Sequence, residues 1–182
     1  MSQPLLTVIG ATGVQGRSVI DEALRNQKYR IRAVTRNVES SGAQELAKTG
    51  VEVVEADLND LSSLRSALQG TELLFASSNF FEPFMTRDAS TAAEIEATQG
   101  INLAKAAAET ASLEHFVWST LPSSSKISKG KYAVPHFEGK HKVDTYIKTQ
   151  DILLAKTTFL FVTWYAQNFT YPMFTPSIVV SI

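Results

Sequence analysis

The feature that most constrains this chain is an apolar run, Leu5 to Ile9, that is followed by three evenly spaced glycines. The segment Gly10-Ala11-Thr12-Gly13-Val14-Gln15-Gly16 then continues into a helix-like sequence. A strand, a tight turn and a helix N-terminus in this order form a site for an anionic pyrophosphate. Gly10 permits the sharp turn, Gly13 lets the backbone approach a phosphate, and Gly16 lets the helix pack closely. A purely structural glycine turn is the alternative, but the flanking strand and helix favour a dinucleotide site.

The rest of the chain alternates between strand-like and helix-like segments. Predicted strands cover 5–9, 29–34, 51–55, 72–76, 116–118 and 157–162. Predicted helices cover about 14–25, 43–48, 62–68, 89–111 and 135–149, and a polar, flexible loop is predicted over 123–132. This alternation implies right-handed crossovers and a parallel sheet. We therefore expect an α/β, doubly wound Rossmann fold of about six strands, with its ligand crevice at their carboxyl ends.

Composition narrows the classes of function. The 182 residues allow one domain with its own core, and a net charge of -1 gives no electrostatic case for nucleic acid or an anionic membrane as partner. The absence of cysteine excludes disulfides and thiolate catalysis, and three scattered histidines predict no metal site. No signal peptide and no apolar run long enough to span a bilayer are recognised, so a cytoplasmic protein is expected.

The short segment after the second predicted strand, Thr35-Arg36-Asn37, indicates which dinucleotide is expected to bind. An NAD site usually has a carboxylate there, about 20 residues beyond the glycines. This chain has Arg36 instead, and a guanidinium can pair bidentately with the 2′-phosphate of NADP. Asp57, after the third predicted strand, is suited either to the adenine amino group or to a turn. The segment Ser78-Asn79-Phe80, after the fourth, is suited either to line the cofactor or to serve as an ordinary loop.

Five motifs together carry a resemblance to a known family. They are the glycine turn 10–16, Val34-Thr35-Arg36-Asn37, Gln99-Gly100, His136-Phe137-Glu138-Gly139-Lys140 and Thr163-Trp164-Tyr165-Ala166-Gln167-Asn168-Phe169. In combination, and across essentially the whole chain, they resemble the NmrA-like group of atypical short-chain dehydrogenases/reductases. The resemblance implies that NADP(H) binds through the glycine turn, Arg36, Ser78, Asn79, Phe80, Lys140, Tyr165, Gln167 and Asn168.

Members of that family continue well beyond residue 182, with a second region that covers the substrate cleft. We therefore expect residues 1–170 to form the NAD(P)-binding domain and 171–182 to begin a largely missing substrate region. An apolar surface left uncovered would lower stability or be covered by homo-oligomerisation.

Catalytic residues are predicted from the chemistry of the superfamily. Typical members place a tyrosine four residues before a lysine on one helix, with a serine after strand five. Here Lys140 and Ser119 occupy matching places, and the tyrosine position holds His136. The nearby ammonium is expected to lower the pKa of His136 and leave the imidazole mostly neutral at pH 7, so that it donates a proton less readily than a tuned tyrosine. The alternative for His136 is a polar residue at the start of a helix. The alternative for Ser119 is a loop hydroxyl that caps the end of a strand.

Two functions remain open from the sequence. The first is an NADP(H)-dependent oxidoreductase that reduces a carbonyl or activated double bond of a small organic molecule, and the family assignment favours it. The second is a catalytically silent, redox-sensing NADP(H) protein that binds a regulatory partner, for which a nuclear location is also compatible. No Gly-x-Ser-x-Gly elbow is present, which argues against a hydrolase.

Overall fold

The six strands form one all-parallel sheet in the order β3-β2-β1-β4-β5-β6. The computed structural model describes residues 3–170. The strands are β1 Leu5–Ile9, β2 Arg30–Thr35, β3 Glu52–Glu55, β4 Leu73–Ala76, β5 His115–Thr120 and β6 Thr157–Phe161. The strand order changes direction between β1 and β4, which is where a doubly wound sheet binds its ligand. The predicted Rossmann fold is confirmed.

Helices connect the strands and cover both faces of the sheet. They are α1 Val14–Asn26, α2 Ser41–Lys48, α3 Leu61–Ala67, α4 Phe81–Phe84, α5 Ala89–Glu109, α6 Ser124–Ile127, α7 Pro135–Lys148, α8 Asp151–Ala155 and a 3₁₀ helix Ala166–Thr170. Local sequence explains several starts: Ser40, Asp60 and Asp88 accept hydrogen bonds from the first-turn amides of α2, α3 and α5. Pro135 begins α7, as predicted.

The core consists of two apolar layers, one on each face of the sheet. Val8 and Phe75 pack with α1 and α2, whereas their neighbours Ile9 and Leu74 pack with α3, α5 and α7. Successive strand residues point to opposite faces, and β1 lies in the middle of the sheet, so all of its residues are buried. Within residues 3–170, no helix combines the length and apolar character needed to cross a bilayer.

The predicted flexible loop over 123–132 is wrong in part, because it contains α6. Ser123 caps this helix, and Glu138 accepts hydrogen bonds from the side chains of Ser124 and Ser125 and from the Ser125 amide. The ordered structure of this segment therefore depends on the carboxylate of Glu138 in α7. Ser119 lies inside β5, not after it, and α4 and α8 were not predicted.

Candidate functional site

The glycine turn is packed as the sequence predicted at two of its positions. Gly10 has φ +75°, and a Cβ there would lie 2.8 Å from the Ser77 carbonyl oxygen. A Cβ on Gly16 would lie 2.2 Å from the Gly10 oxygen, so the first turn of α1 rests directly on the end of β1. Gly13 precedes α1 and donates its N–H to that same oxygen at 3.0 Å. The turn is thus a close-packed cradle at a helix N-terminus, which suits a pyrophosphate.

The register of the sheet gathers the predicted residues along one edge. Ile9 pairs with Val34 of β2 on one side and with Ala76 of β4 on the other. Because parallel strands end together, Arg36 and Ser78 each lie two residues beyond a partner of Ile9 and flank the glycine turn from opposite sides. Asp57 follows β3, further out beyond β2.

Arg36 is engaged rather than free. Its Nη1 and Nη2 donate to the two carboxylate oxygens of Glu82 at 2.6 and 2.8 Å. This bidentate contact is the main reason that the pKa of Arg36 is raised, with smaller contributions from the charges of Glu82 and Asp57. Asp57 itself accepts hydrogen bonds from the backbone and side-chain nitrogens of Asn59, as a turn residue does. Its predicted contact with adenine stays a prediction.

Lys140 lies at the centre of a buried polar cluster. Its Nζ donates to Ser78 Oγ at 2.7 Å and to the Ser78 carbonyl at 3.2 Å, and lies 3.0 Å from Glu96 Oε1. These contacts occupy all the donors of an ammonium group. Ser78 Oγ also donates to Glu96 Oε1, at 2.8 Å. Lys140 therefore ties the exit of β4 to helices α5 and α7, and would contact a cofactor only by exchanging one of these partners.

Glu96 is a site residue that the sequence analysis did not identify, although its place on an apolar helix face could have indicated it. It lies on the face of α5 that buries Ala92, Ala93, Gly100 and Leu103, and its side chain is itself completely buried. A charged residue on an apolar helix face indicates a paired buried charge. Its Oε2 has no hydrogen-bond partner among the described residues.

His136 lies beside aromatic rings, one turn before Lys140. Its ring centroid is 4.8 Å from that of Phe137 and 5.6 Å from that of Phe80. The pKa of His136 is lowered from 6.5 mainly by burial, while the charge of Glu96 raises it and that of Lys140 lowers it. The predicted direction is confirmed, but burial contributes more than the lysine. The imidazole is therefore mostly neutral at pH 7.

Gln15 joins residues from three separate parts of the sequence. Ser119 Oγ donates to its Oε1 at 2.7 Å, and its Nε2 donates to the Tyr165 phenol oxygen at 2.5 Å. The hydroxyl of Ser119 is thus bound to the glycine turn from a strand position that is 2% exposed. Gln15 thus connects the end of β5 and the segment that follows β6 to the start of α1.

Other predicted residues lie around this centre in less direct roles. Asn79 Oδ1 accepts from the Phe81 amide, and Phe80 packs inward on Ala92 and Ala93. Gln167 is exposed, and the Asn168 amide donates to the Tyr165 carbonyl within the 3₁₀ helix segment. Their contacts with a cofactor stay predictions. The boundary predicted at residue 170 also stays a prediction, since 171–182 lie outside the described residues.

A parallel sheet in this order, with a close-packed glycine turn at its switch point, defines an α/β protein with the Rossmann fold. The model of the NmrA-like family matches residues 2–179, and the chain belongs to that family.

Curated relatives include two fungal proteins that are named NmrA-like family domain-containing oxidoreductases. The relative hkm9 of Aspergillus hancockii is 34% identical over 169 residues, which cover 91% of this chain and 48% of that protein. The relative cpsB of Aspergillus campestris is 36% identical over 146 residues, covering 80% of this chain and 42% of its own length. The chain thus spans about half the length of these relatives.

Solved structures agree with this assignment. The triphenylmethane reductase of Citrobacter sp., in complex with NADP(H), has a TM-score of 0.68 at 27% identity, covering 90% of this chain and 51% of that one. NmrA, a negative transcriptional regulator in complex with NADP, has a TM-score of 0.69 at 24% identity, covering 88% of this chain and 45% of that one. At that identity the likeness to NmrA shows the fold alone.

Proposed function

We propose that this chain forms the NADP(H)-binding half of an oxidoreductase that reduces a carbonyl or an activated double bond of a small organic molecule. The observation that carries the proposal is the glycine turn, whose Gly10 and Gly16 have no room for a Cβ, with Arg36 at the adjacent strand end. An NADP(H)-bound reductase of the same fold, and relatives named oxidoreductases, support it.

The residues at the crevice fit the parts of NADP(H). In the proposal, the amides at the start of α1 hold the pyrophosphate, because a helix N-terminus attracts anions. Arg36 holds the 2′-phosphate, since its fork of donors matches phosphate oxygens. The nicotinamide end lies toward Ser119, Lys140 and Tyr165. When bound, NADPH supplies the hydride.

The proton is assigned to His136, which stands where typical members have tyrosine. Because burial lowers the pKa of its imidazole, only a small fraction is protonated at neutral pH. Turnover by this route is expected to increase as the pH falls toward the pKa of the imidazole. Lys140 orients the ribose after exchanging one of its internal partners.

A second function, NADP(H) sensing with a protein partner, is favoured by one observation. The hydroxyl of Ser119 and the ammonium of Lys140 are already bound to Gln15, Ser78 and Glu96. Side chains held by such internal contacts would stabilise the shape of the crevice without contacting a substrate. NADPH oxidation that stays at background for every quinone, enone and triphenylmethane dye tested, in a chain that binds NADPH, would favour sensing.

The first experiment is calorimetric titration of the chain with NADPH and with NADH. Tight binding of NADPH and much weaker binding of NADH are expected. Arg36→Ala should weaken NADPH binding at least tenfold, because a bidentate phosphate contact contributes about 1.5–3 kcal/mol. Arg25→Ala, which removes an exposed arginine at the far end of α1, is the matched control. If neither dinucleotide binds, both proposed functions are wrong for this chain.

A further inference from the structure

The ion pair between Arg36 and Glu82 connects the two sides of the crevice. Arg36 is the first residue after β2, and Glu82 lies in α4, which follows β4. These two strands are the neighbours of β1 in the sheet. The pair therefore joins segments that flank the glycine turn, and both side chains stay about half exposed, at 56% and 49%.

Glu82 is presented to Arg36 by an anchored segment. The ring of Phe84 stacks on that of Phe80 at 5.3 Å, and Phe80 is buried against Ala92 and Ala93 of α5. Asn79 Oδ1 accepts from the Phe81 amide at 3.1 Å and fixes the start of α4. The carboxylate is thus held at one place relative to β2.

The geometry of this contact resembles that of a bound phosphate. Two carboxylate oxygens face two guanidinium nitrogens, as two phosphate oxygens would. A 2′-phosphate that approaches Arg36 finds both of these guanidinium nitrogens already bound to the Glu82 carboxylate. Arg36 can bind the phosphate fully only if Glu82 releases it.

We infer that Glu82 is a specificity-determining residue whose carboxylate competes with the cofactor's 2′-phosphate for Arg36. This inference rests on the proposed NADP(H) site. Glu82 weakens the binding of 2′-phosphorylated nucleotides, whereas a nucleotide without that phosphate does not exchange with it. Removal of the charge therefore increases the preference for NADPH over NADH.

The test is calorimetric titration of Glu82→Gln with NADPH, NADH, adenosine 2′,5′-bisphosphate and AMP. NADPH and the bisphosphate should bind more tightly than to the wild type, by up to about fivefold, which is the upper end of the range for an exposed ion pair. NADH and AMP should be unchanged. The matched control is Glu109→Gln, because Glu109 makes the same bidentate contact with Arg65 and is 50% exposed. This control should alter none of the four affinities.

The double variant Arg36→Ala/Glu82→Gln separates competition from a general charge effect. In the Arg36→Ala background, Glu82→Gln should give no further gain for NADPH. Equal gains for NADPH and NADH, no gain, or weaker NADPH binding by Glu82→Gln would overturn the inference while leaving the NADP(H) site intact. NADPH binding that appears only in Glu82→Gln would support it strongly. Absence of binding by both forms would overturn the proposed function together with the inference.

Discussion

Lys140 Nζ lies 3.0 Å from Glu96 Oε1, and the Glu96 side chain is completely buried. The lysine predicted to touch the cofactor is thus first a partner of an acid on a neighbouring helix. Gly139 allows this contact, since a Cβ there would lie 3.0 Å from Glu96 Oε2. The pair joins α5 and α7 beneath the crevice, so the stability of the domain and the position of Lys140 depend on the same interaction.

Glu96→Gln should lower the free energy of unfolding by about 3–5 kcal/mol, because it leaves the buried ammonium of Lys140 without a counter-charge. Denaturant unfolding measures this. Glu94→Gln is the matched control, because Glu94 also lies on α5 but pairs with Lys142 at the surface and is 62% exposed. This control should change stability by less than about 1 kcal/mol. Equal losses for both variants would contradict the role given to Glu96.

Gln15→Leu should destabilise the fold by about 1–3 kcal/mol, because the hydroxyl of Ser119 then loses its buried partner. Ser119→Ala removes the same hydrogen bond from the other side. If the two residues act through this bond, the double variant should be less destabilised than the sum of the single variants. A double-mutant cycle in denaturant measures the coupling, and strict additivity would show that the bond contributes nothing.

Wild-type stability should fall relative to that of His136→Phe as the pH decreases below 6.5. Burial lowers the folded-state pKa of His136, so the unfolded chain binds the proton more readily and protonation favours unfolding. Well above pH 6.5 the imidazole is neutral in both states, and the difference between the two proteins should be constant. Unfolding free energies measured from pH 5 to 8 test this, and parallel curves over the whole range would contradict it.

Glu138 should stabilise the fold above its ordinary pKa of 4.5 and lose that contribution as the pH falls toward about 2. Burial raises the pKa of this carboxyl, but hydrogen bonds from Ser124 and Ser125, with a smaller one from Ser123, together lower it to about 2. Glu138→Gln should therefore lower stability at pH 7 and flatten the acid limb between these values. An acid limb identical to that of the wild type would show that the serines do not depend on the carboxylate.

The strands, the glycine turn and the place of Arg36 were predictable because each follows from neighbours in the sequence. Apolar periodicity defines a buried strand within a few residues, and a turn with φ +75° at Gly10 strongly favours glycine. The doubly wound order follows from alternating strands and helices, since the crossovers have one hand. The order of the elements along the chain therefore already implied that the predicted residues lie at one edge of the sheet.

The partners of those residues depended on the tertiary structure. Arg36 meets Glu82 across 46 positions, and Ser119 meets Gln15 across 104. Such pairs form only when packing brings distant side chains within hydrogen-bond distance, and no local sequence pattern specifies which residue becomes the partner. The sequence thus determined where the crevice lies and which residue types surround it. Packing decided which of these residues are already bound to one another, because hydrogen bonds and ion pairs depend on distances that only the assembled core sets.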